Sequence, residues 1–126
     1  MIRAVLLFAA LFAAASQAQA EASLERGQTL FQTKCAICHN SEAAAGHAVG
    51  PNLQGVVGRK IGSAEGFAYS AAMSGSAGSW SAERLDAFLT SPATALPGTA
   101  MPFSGLKKAE DRQSLILFLQ SLSPKE

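Results

Sequence analysis

The sequence is poor in charge, in aromatic residues and in cysteine. Among its 126 residues 15% are charged, and it contains one Trp, one Tyr, two Cys and two His. Its 10 basic and 9 acidic residues nearly balance, so it lacks the basic surface typical of nucleic-acid-binding proteins. No run reaches the roughly 18 apolar residues of a membrane span. Two cysteines cannot form a multi-disulfide scaffold, and the length allows one small domain with little room for a deep substrate cleft.

The first twenty residues have the pattern of an export leader. Residues 1–3 form a short basic start, residues 4–15 are apolar, and Ala18-Gln19-Ala20 resembles a signal peptidase site. The alternative is an N-terminal anchor helix, for which the apolar run is too short. We therefore predict a cleaved secretory signal peptide at 1–20, one domain at 21–126 and a periplasmic location. Loss of Arg3 leaves 9 basic and 9 acidic residues, a net charge of zero.

Helical patterns occur near both ends of the domain. Residues 24–34 place small or apolar residues on one helical face, at Leu24, Gly27, Leu30 and Phe31. A longer helix beginning near Lys108 has an apolar stripe of Leu115, Phe118, Leu119 and Leu122. Residues 81–90 predict a third helix. Ser91-Pro92 has the N-cap and first-turn residues of one further helical turn.

Residues 40–78 are rich in glycine and have no sustained period of two or 3.6. Such a long irregular stretch within a small domain argues against a core built from protein alone. A bound planar group would resolve this difficulty, because loops can bury their side chains on it while their backbones pair locally.

The segment Cys35-Ala36-Ile37-Cys38-His39 is the most informative in the chain, because C-x-x-C-H is the attachment signature of c-type haem. Two thiols on one helical turn can each form a thioether with a haem vinyl group, and the following histidine then lies beneath the iron. A thioredoxin-like disulfide is a competing interpretation, but it requires a preceding strand where a helix is predicted. A zinc site with His47 would need an unusual histidine spacing.

An iron bound by His39 needs a second axial ligand. Met101 lies between Pro97-Gly98 and Pro102, where the backbone is constrained and bulky side chains are few. Met73 lacks such a frame, and a lone methionine is usually core filler. His47, in a loop of small residues, is expected to bind backbone instead. We therefore predict His39 and Met101 as the two iron ligands.

The chain resembles a class I cytochrome c of the mitochondrial and bacterial c2-like type. The resemblance covers residues 22–123 and rests on an ordered series of motifs: Gly27-x-x-x-Phe31, residues 35–39, Gly50-Pro51-Asn52-Leu53, Gly58-Arg59-Lys60, Gly66-Phe67-x-Tyr69, Trp80, Leu85, Pro92, Pro97-Gly98-Thr99-x-Met101 and Leu115-Ile116-x-Phe118-Leu119. It implies an all-α fold in which the N- and C-terminal helices cross and loops wrap one haem c, covalently attached through Cys35 and Cys38.

The resemblance also implies roles around the haem. Pro51 would accept a hydrogen bond from His39 Nδ1 and orient the ring. Residues Arg59, Tyr69 and Trp80 would donate to the haem propionates, and Thr99 would lie in the cofactor pocket. His47 would bridge two loops.

The chain departs from the family at the methionine-ligated face and at the exposed haem edge. Phe88 stands where tyrosine is common, and Met73 where asparagine is usual. Several lysines of the mitochondrial forms are replaced, at Ala48, Ala93, Thr94 and Ala100, whereas Lys34, Lys107 and Lys108 remain. Docking on a strongly acidic partner should therefore be weaker.

The resulting functional prediction is a monomeric, non-enzymatic, single-haem electron carrier. Its donor would be a quinol-oxidising complex or a dehydrogenase, and its acceptor a terminal oxidase or peroxidase. One alternative is a small-ligand-binding or weakly peroxidatic haem protein with a displaceable Met101, since distal-pocket polarity decides what haem does. Another is a dedicated subunit of one oxidase or dehydrogenase.

Overall fold

The computed structural model describes residues 21–123, whose regular elements are all helical. Helix α1 spans Leu24–Leu30 and continues as a π-helical turn over Phe31–Cys35; the other segments are a 3₁₀ turn at Ala43–Ala45, α2 at Ala71–Ser74, α3 at Ala82–Thr90, α4 at Pro92–Ala95 and α5 at Ala109–Ser121. Extended pairing within 21–123 is limited to one bridge between Lys60 and Ser79. The predicted all-α fold is confirmed.

The predicted leader at residues 1–20 lies outside the described residues and stays a prediction. Between residues 21 and 123, no helix combines the length and the apolarity that crossing a membrane demands.

Helices α1 and α5 cross in close contact, as the resemblance implies. Gly27 is buried at the crossing, where an added Cβ would overlap the backbone carbonyl of Ser114. One turn later Phe31 packs against Phe118, with ring centroids 5.1 Å apart. The Arg26 guanidinium donates to Asp111 at 2.7 Å beside the crossing. The absence of a side chain at Gly27 therefore permits this main contact between the two ends of the chain.

Serine hydroxyls cap three of the helices. Ser23 and Ser81 accept hydrogen bonds from the third residue after each, and so begin α1 and α3. Ser70 does the same for α2, a short helix that the hydrophobic pattern did not indicate. At α4 the expected cap differs, because the Ser91 hydroxyl bonds to Thr94 Oγ1 at 2.9 Å and caps no backbone N–H.

The long glycine-rich region is held by hydrogen bonds between loop backbones and by the side chain of Asn52. Around the single bridge, Gly58 N donates to Trp80 O at 2.7 Å and Trp80 N donates to Arg59 O at 2.9 Å. Buried Asn52 donates through Nδ2 to the carbonyls of Glu42 and Gly46. These loops add Val56, Ile61 and Trp80 to the core formed with the helices.

Candidate haem site

The two cysteines and the histidine lie on one turn that begins where the π-helical segment after α1 ends. The backbone N–H groups of Cys38 and His39 both donate to the Cys35 carbonyl, at 3.0 and 2.9 Å. Cys35 and His39 are buried and Cys38 is half-buried. The two thiols are not bonded to each other. The spacing predicted this placement, in which both thiols and the imidazole come from a single turn.

The His39 ring is held in one tautomer by the following loop. Its Nδ1 lies 2.7 Å from the Pro51 carbonyl. Because a carbonyl can only accept, Nδ1 carries a proton, and in the neutral ring Nε2 then keeps its lone pair. Burial lowers the pKa of His39, while the bond to Pro51 opposes that effect and the charge of Arg59 adds to it. The ring is therefore neutral near pH 7, as a metal ligand must be.

Gly50 provides the space that the His39 ring occupies. A Cβ built on Gly50 would lie 2.7 Å from Nδ1 and 2.8 Å from Nε2, and closer still to Cε1. Gly50 N also donates to Cys38 O at 2.7 Å. The backbone of Gly50 thus forms a cradle against the imidazole that any side chain would fill, a role that the sequence did not indicate.

The surroundings of Cys35 and His47 argue against the two competing interpretations. Burial, reinforced by the nearby Cys38, raises the pKa of Cys35 to about 11, whereas reactive redox cysteines have lowered pKa values. His47 Nε2 lies 2.7 Å from Glu65 O, and its Nδ1 accepts from Asn52 N at 3.0 Å. Because both ring nitrogens are committed to backbone groups, His47 bridges two loops and is not available to zinc.

The backbone around Met101 is constrained, as the sequence suggested. Gly98 has φ of 88°, a left-handed conformation that favours glycine. Thr99 N donates to Leu96 O at 3.0 Å, and Phe103 N donates to Met101 O at 2.9 Å. Met101 is half-buried against the core, but so is Met73. Burial therefore does not separate the two methionines, and Met101 as ligand stays a prediction.

The three predicted propionate donors all have N–H or O–H groups that remain free to donate. Tyr69 Oη accepts from Ala64 N at 2.9 Å and retains its own proton. Arg59 uses Nη1 to donate to the carbonyls of Asn52 and Gln54, which leaves other guanidinium N–H groups to donate. Buried Trp80 makes no indole hydrogen bond with the residues described. Half-buried Thr99 likewise has no side-chain bond within 21–123.

These features fit a large apolar cofactor with polar substituents. Several apolar side chains pack against the core yet stay partly open, and a planar group could cover them: Leu53, Val57, Met73, Leu96, Met101 and Phe103. A neutral imidazole, two thiols and uncommitted donors match the parts of a c-type haem: its iron, its vinyl groups and its propionates.

Comparison with known proteins agrees with this geometry. The family profile described as Cytochrome c matches residues 24–123. The chain belongs to the cytochrome c family. The cytochrome c of Chlamydomonas reinhardtii is 47% identical over 97 residues, which are 77% of this chain and 87% of the relative. The cytochrome c of Guizotia abyssinica is 44% identical over 108 residues, which are 85% of this chain and 97% of the relative.

A third cytochrome c, from Ulva intestinalis, is 46% identical over 95 residues, 75% of this chain and 86% of the relative. Membership in class I of the family is therefore confirmed. The family binds one covalent haem c, and this chain contains two cysteines with which to attach it.

The prediction of a periplasmic location is wrong. The relatives are algal and plant cytochromes c, which belong to the mitochondrial intermembrane space and not to a bacterial periplasm. The prediction rested on three features of residues 1–20, namely a basic start, an apolar run and a site resembling a signal peptidase site, and such a pattern does not by itself specify the compartment.

Proposed function

We propose that this cytochrome c carries single electrons from a quinol-oxidising complex or dehydrogenase to a terminal oxidase or peroxidase. When bound, haem c supplies an iron that can exist in two oxidation states. The observation that carries the proposal is the His39 ring, neutral and buried with its Nε2 lone pair uncommitted, on the same turn as both thiols.

The residues around His39 would set the properties of that iron site. The bond from Nδ1 to Pro51 fixes the ring orientation and makes Nε2 a stronger donor. Met101 would supply a thioether, a weak soft ligand that favours the ferrous state. Tyr69, Trp80 and Arg59 would donate hydrogen bonds that stabilise the negative charge of the propionates, and Arg59 would also contribute a positive charge.

We further propose that the chain is not itself an enzyme. If His39 and Met101 both bind the iron, they would leave no site for a substrate to bind it. Cys35 and Cys38 would fix the cofactor edge close to the surface, since Cys38 is half-buried in the turn that follows Cys35. That arrangement suits electron transfer between proteins, in which no atom is exchanged.

Reconstitution tests this proposal. A purified quinol–cytochrome c reductase and a purified cytochrome c oxidase are mixed with quinol, and oxygen uptake is followed as the holoprotein is added. We expect uptake to rise in a saturable manner with holoprotein and to stay at background with a Met101→Ala control of equal haem content. Oxygen uptake that does not depend on the holoprotein would contradict the proposal.

The ligand-binding alternative depends on the methionine-ligated face. Phe88 packs on Trp80 with centroids 4.9 Å apart, and both line a largely apolar cavity of about 90 Å³. Phe88 has no hydroxyl with which to hold water or a bound ligand there. Carbon monoxide added to the reduced protein at neutral pH separates the functions, because only a displaceable Met101 would permit binding.

A further inference from the structure

The C-terminal end of α3 holds the chain just after Met101. Helix α3 ends at Thr90, and the last carbonyls of a helix have no partner within it. Here Leu106 N donates to Leu89 O at 2.8 Å, and the Lys107 ammonium donates to Thr90 O at 2.9 Å. A positive charge is favourable at this end of a helix. These contacts therefore fix the backbone shortly after Met101.

Arg112 of α5 binds the same stretch of chain and joins it to α3. Its Nη1 donates to the carbonyls of Leu106 and Lys107, at 3.0 and 3.1 Å, and Nη1 has one N–H for each carbonyl. Its Nε donates to Asp86 Oδ1 at 2.8 Å. The Arg112 side chain is 13% exposed, so these charge-assisted bonds are largely shielded from water. We call Asp86, Arg112 and the two carbonyls the Arg112 tether.

The segment that carries Met101, residues 97–105, makes few hydrogen bonds to the rest of the described chain. Its backbone–backbone bonds run from Thr99 N to Leu96 O and from Phe103 N to Met101 O. Each stays within the segment or reaches the residue just before it. The bond at Leu106 N and the Arg112 tether are therefore the first backbone attachments to a helix that follow Met101 along the chain.

We propose that Arg112, oriented by Asp86, is a positioning residue that keeps Met101 at the iron. This rests on the proposed function, in which Met101 is the second axial ligand. A thioether is a weak ligand, so its occupancy depends on how firmly the protein holds the segment that bears it. Loss of the guanidinium would leave the carbonyls of Leu106 and Lys107 without their donor. The segment would then leave the iron more often, and an external ligand would bind there more readily.

The test measures how readily imidazole displaces Met101 in the oxidised holoprotein. Imidazole is added at neutral pH, and loss of the sulfur-to-iron absorption band gives its dissociation constant. The variants are Arg112→Gln, Arg112→Lys and Asp86→Asn. Asp111→Asn is the matched control, because the Asp111 carboxylate also accepts from an arginine Nε, that of Arg26 at 2.7 Å, but lies at the crossing of α1 and α5. Guanidinium unfolding midpoints are recorded for every variant.

We expect Arg112→Gln to lower the imidazole dissociation constant about 10-fold, because charge-assisted bonds to two carbonyls are lost. Asp86→Asn should lower it about 2- to 3-fold, since the Asp86 carboxylate is partly exposed and an amide oxygen still accepts from Nε. Arg112→Lys should give an intermediate value, because an ammonium still donates but lacks the planar fork. Asp111→Asn should leave the constant unchanged, whatever its effect on the unfolding midpoint.

An imidazole constant that is unchanged in Arg112→Gln or in Asp86→Asn would overturn the proposal. So would equal changes in Asp86→Asn and Asp111→Asn, because the effect would then be one of global stability. If Arg112→Gln does not fold, the comparison of Asp86→Asn with Asp111→Asn decides alone. The carrier function is tested by oxygen uptake with the unsubstituted protein, whereas the tether is tested by differences between variants, so the two failures are distinguishable.

Discussion

Replacement of Gly50 by alanine should damage the site through the His39 ring. The new Cβ would fall 2.7 Å from Nδ1 and 2.8 Å from Nε2, so either the ring or the loop must move. Because Gly50 is not among the glycines with positive φ, the damage comes from lack of space and not from backbone strain. Loss of the bond to Pro51 costs about 1 kcal/mol and overpacking about 1–3 kcal/mol. We expect a total loss of about 2–4 kcal/mol.

The assay is guanidinium unfolding of the oxidised holoprotein, together with a redox titration. Unfolding should shift to lower denaturant, and the reduction potential should rise, because an imidazole without its Nδ1 partner is a weaker donor to ferric iron. Gly75→Ala is the control: Gly75 has φ of −84° and an added Cβ would meet only Ala71 O, at 3.1 Å. Its stability should change by less than about 1 kcal/mol. Equal stability of the Gly50 variant and the original protein would refute the argument.

Three further predictions concern the helix crossing, the iron ligand and charge. Gly27→Ala should lower the free energy of unfolding by about 1–3 kcal/mol, because the cost of overlap with α5 exceeds the roughly 1 kcal/mol gain in helix propensity. A denaturant titration that shows no loss of stability would mean that the crossing relaxes and would contradict this prediction. Met101→Ala should abolish the weak sulfur-to-iron absorption band and lower the potential, whereas Met73→Leu should keep both, and the reverse pattern in optical titrations would reassign the ligand. Lys34→Glu should slow association with an acidic partner at low salt more than Lys107→Glu does, because in the original protein the Lys107 ammonium is held by two carbonyls and is less available to the partner. Equal stopped-flow rates for the two variants would contradict this.

The features that the sequence predicted are those encoded by local spacing. The turn that carries Cys35, Cys38 and His39 follows from their intervals, and the apolar stripe of α5 follows from a period of 3.6. These signals need only residue type and separation along the chain.

Other features depend on partners far apart in sequence. Ser114 is fully buried on the side of α5 that contacts α1. A polar side chain is tolerated there because its hydroxyl donates to Glu110 O and accepts from Ser23 N. Leu24, although on the predicted apolar face of α1, is 51% exposed. The close approach of Gly50 to the His39 ring, eleven residues earlier, likewise could not be predicted from spacing. Hydrophobic periodicity gives no information about such contacts.

We propose that a covalent haem, held by His39 and Met101, exchanges one electron and nothing else. A potentiometric titration of the purified holoprotein, recorded optically with and without carbon monoxide, tests it most directly. We expect a single one-electron Nernst curve, a reduced spectrum unchanged by carbon monoxide at neutral pH, and haem that stays with the chain after acid–acetone extraction. Extractable haem, or a carbon monoxide complex formed at neutral pH, would contradict it.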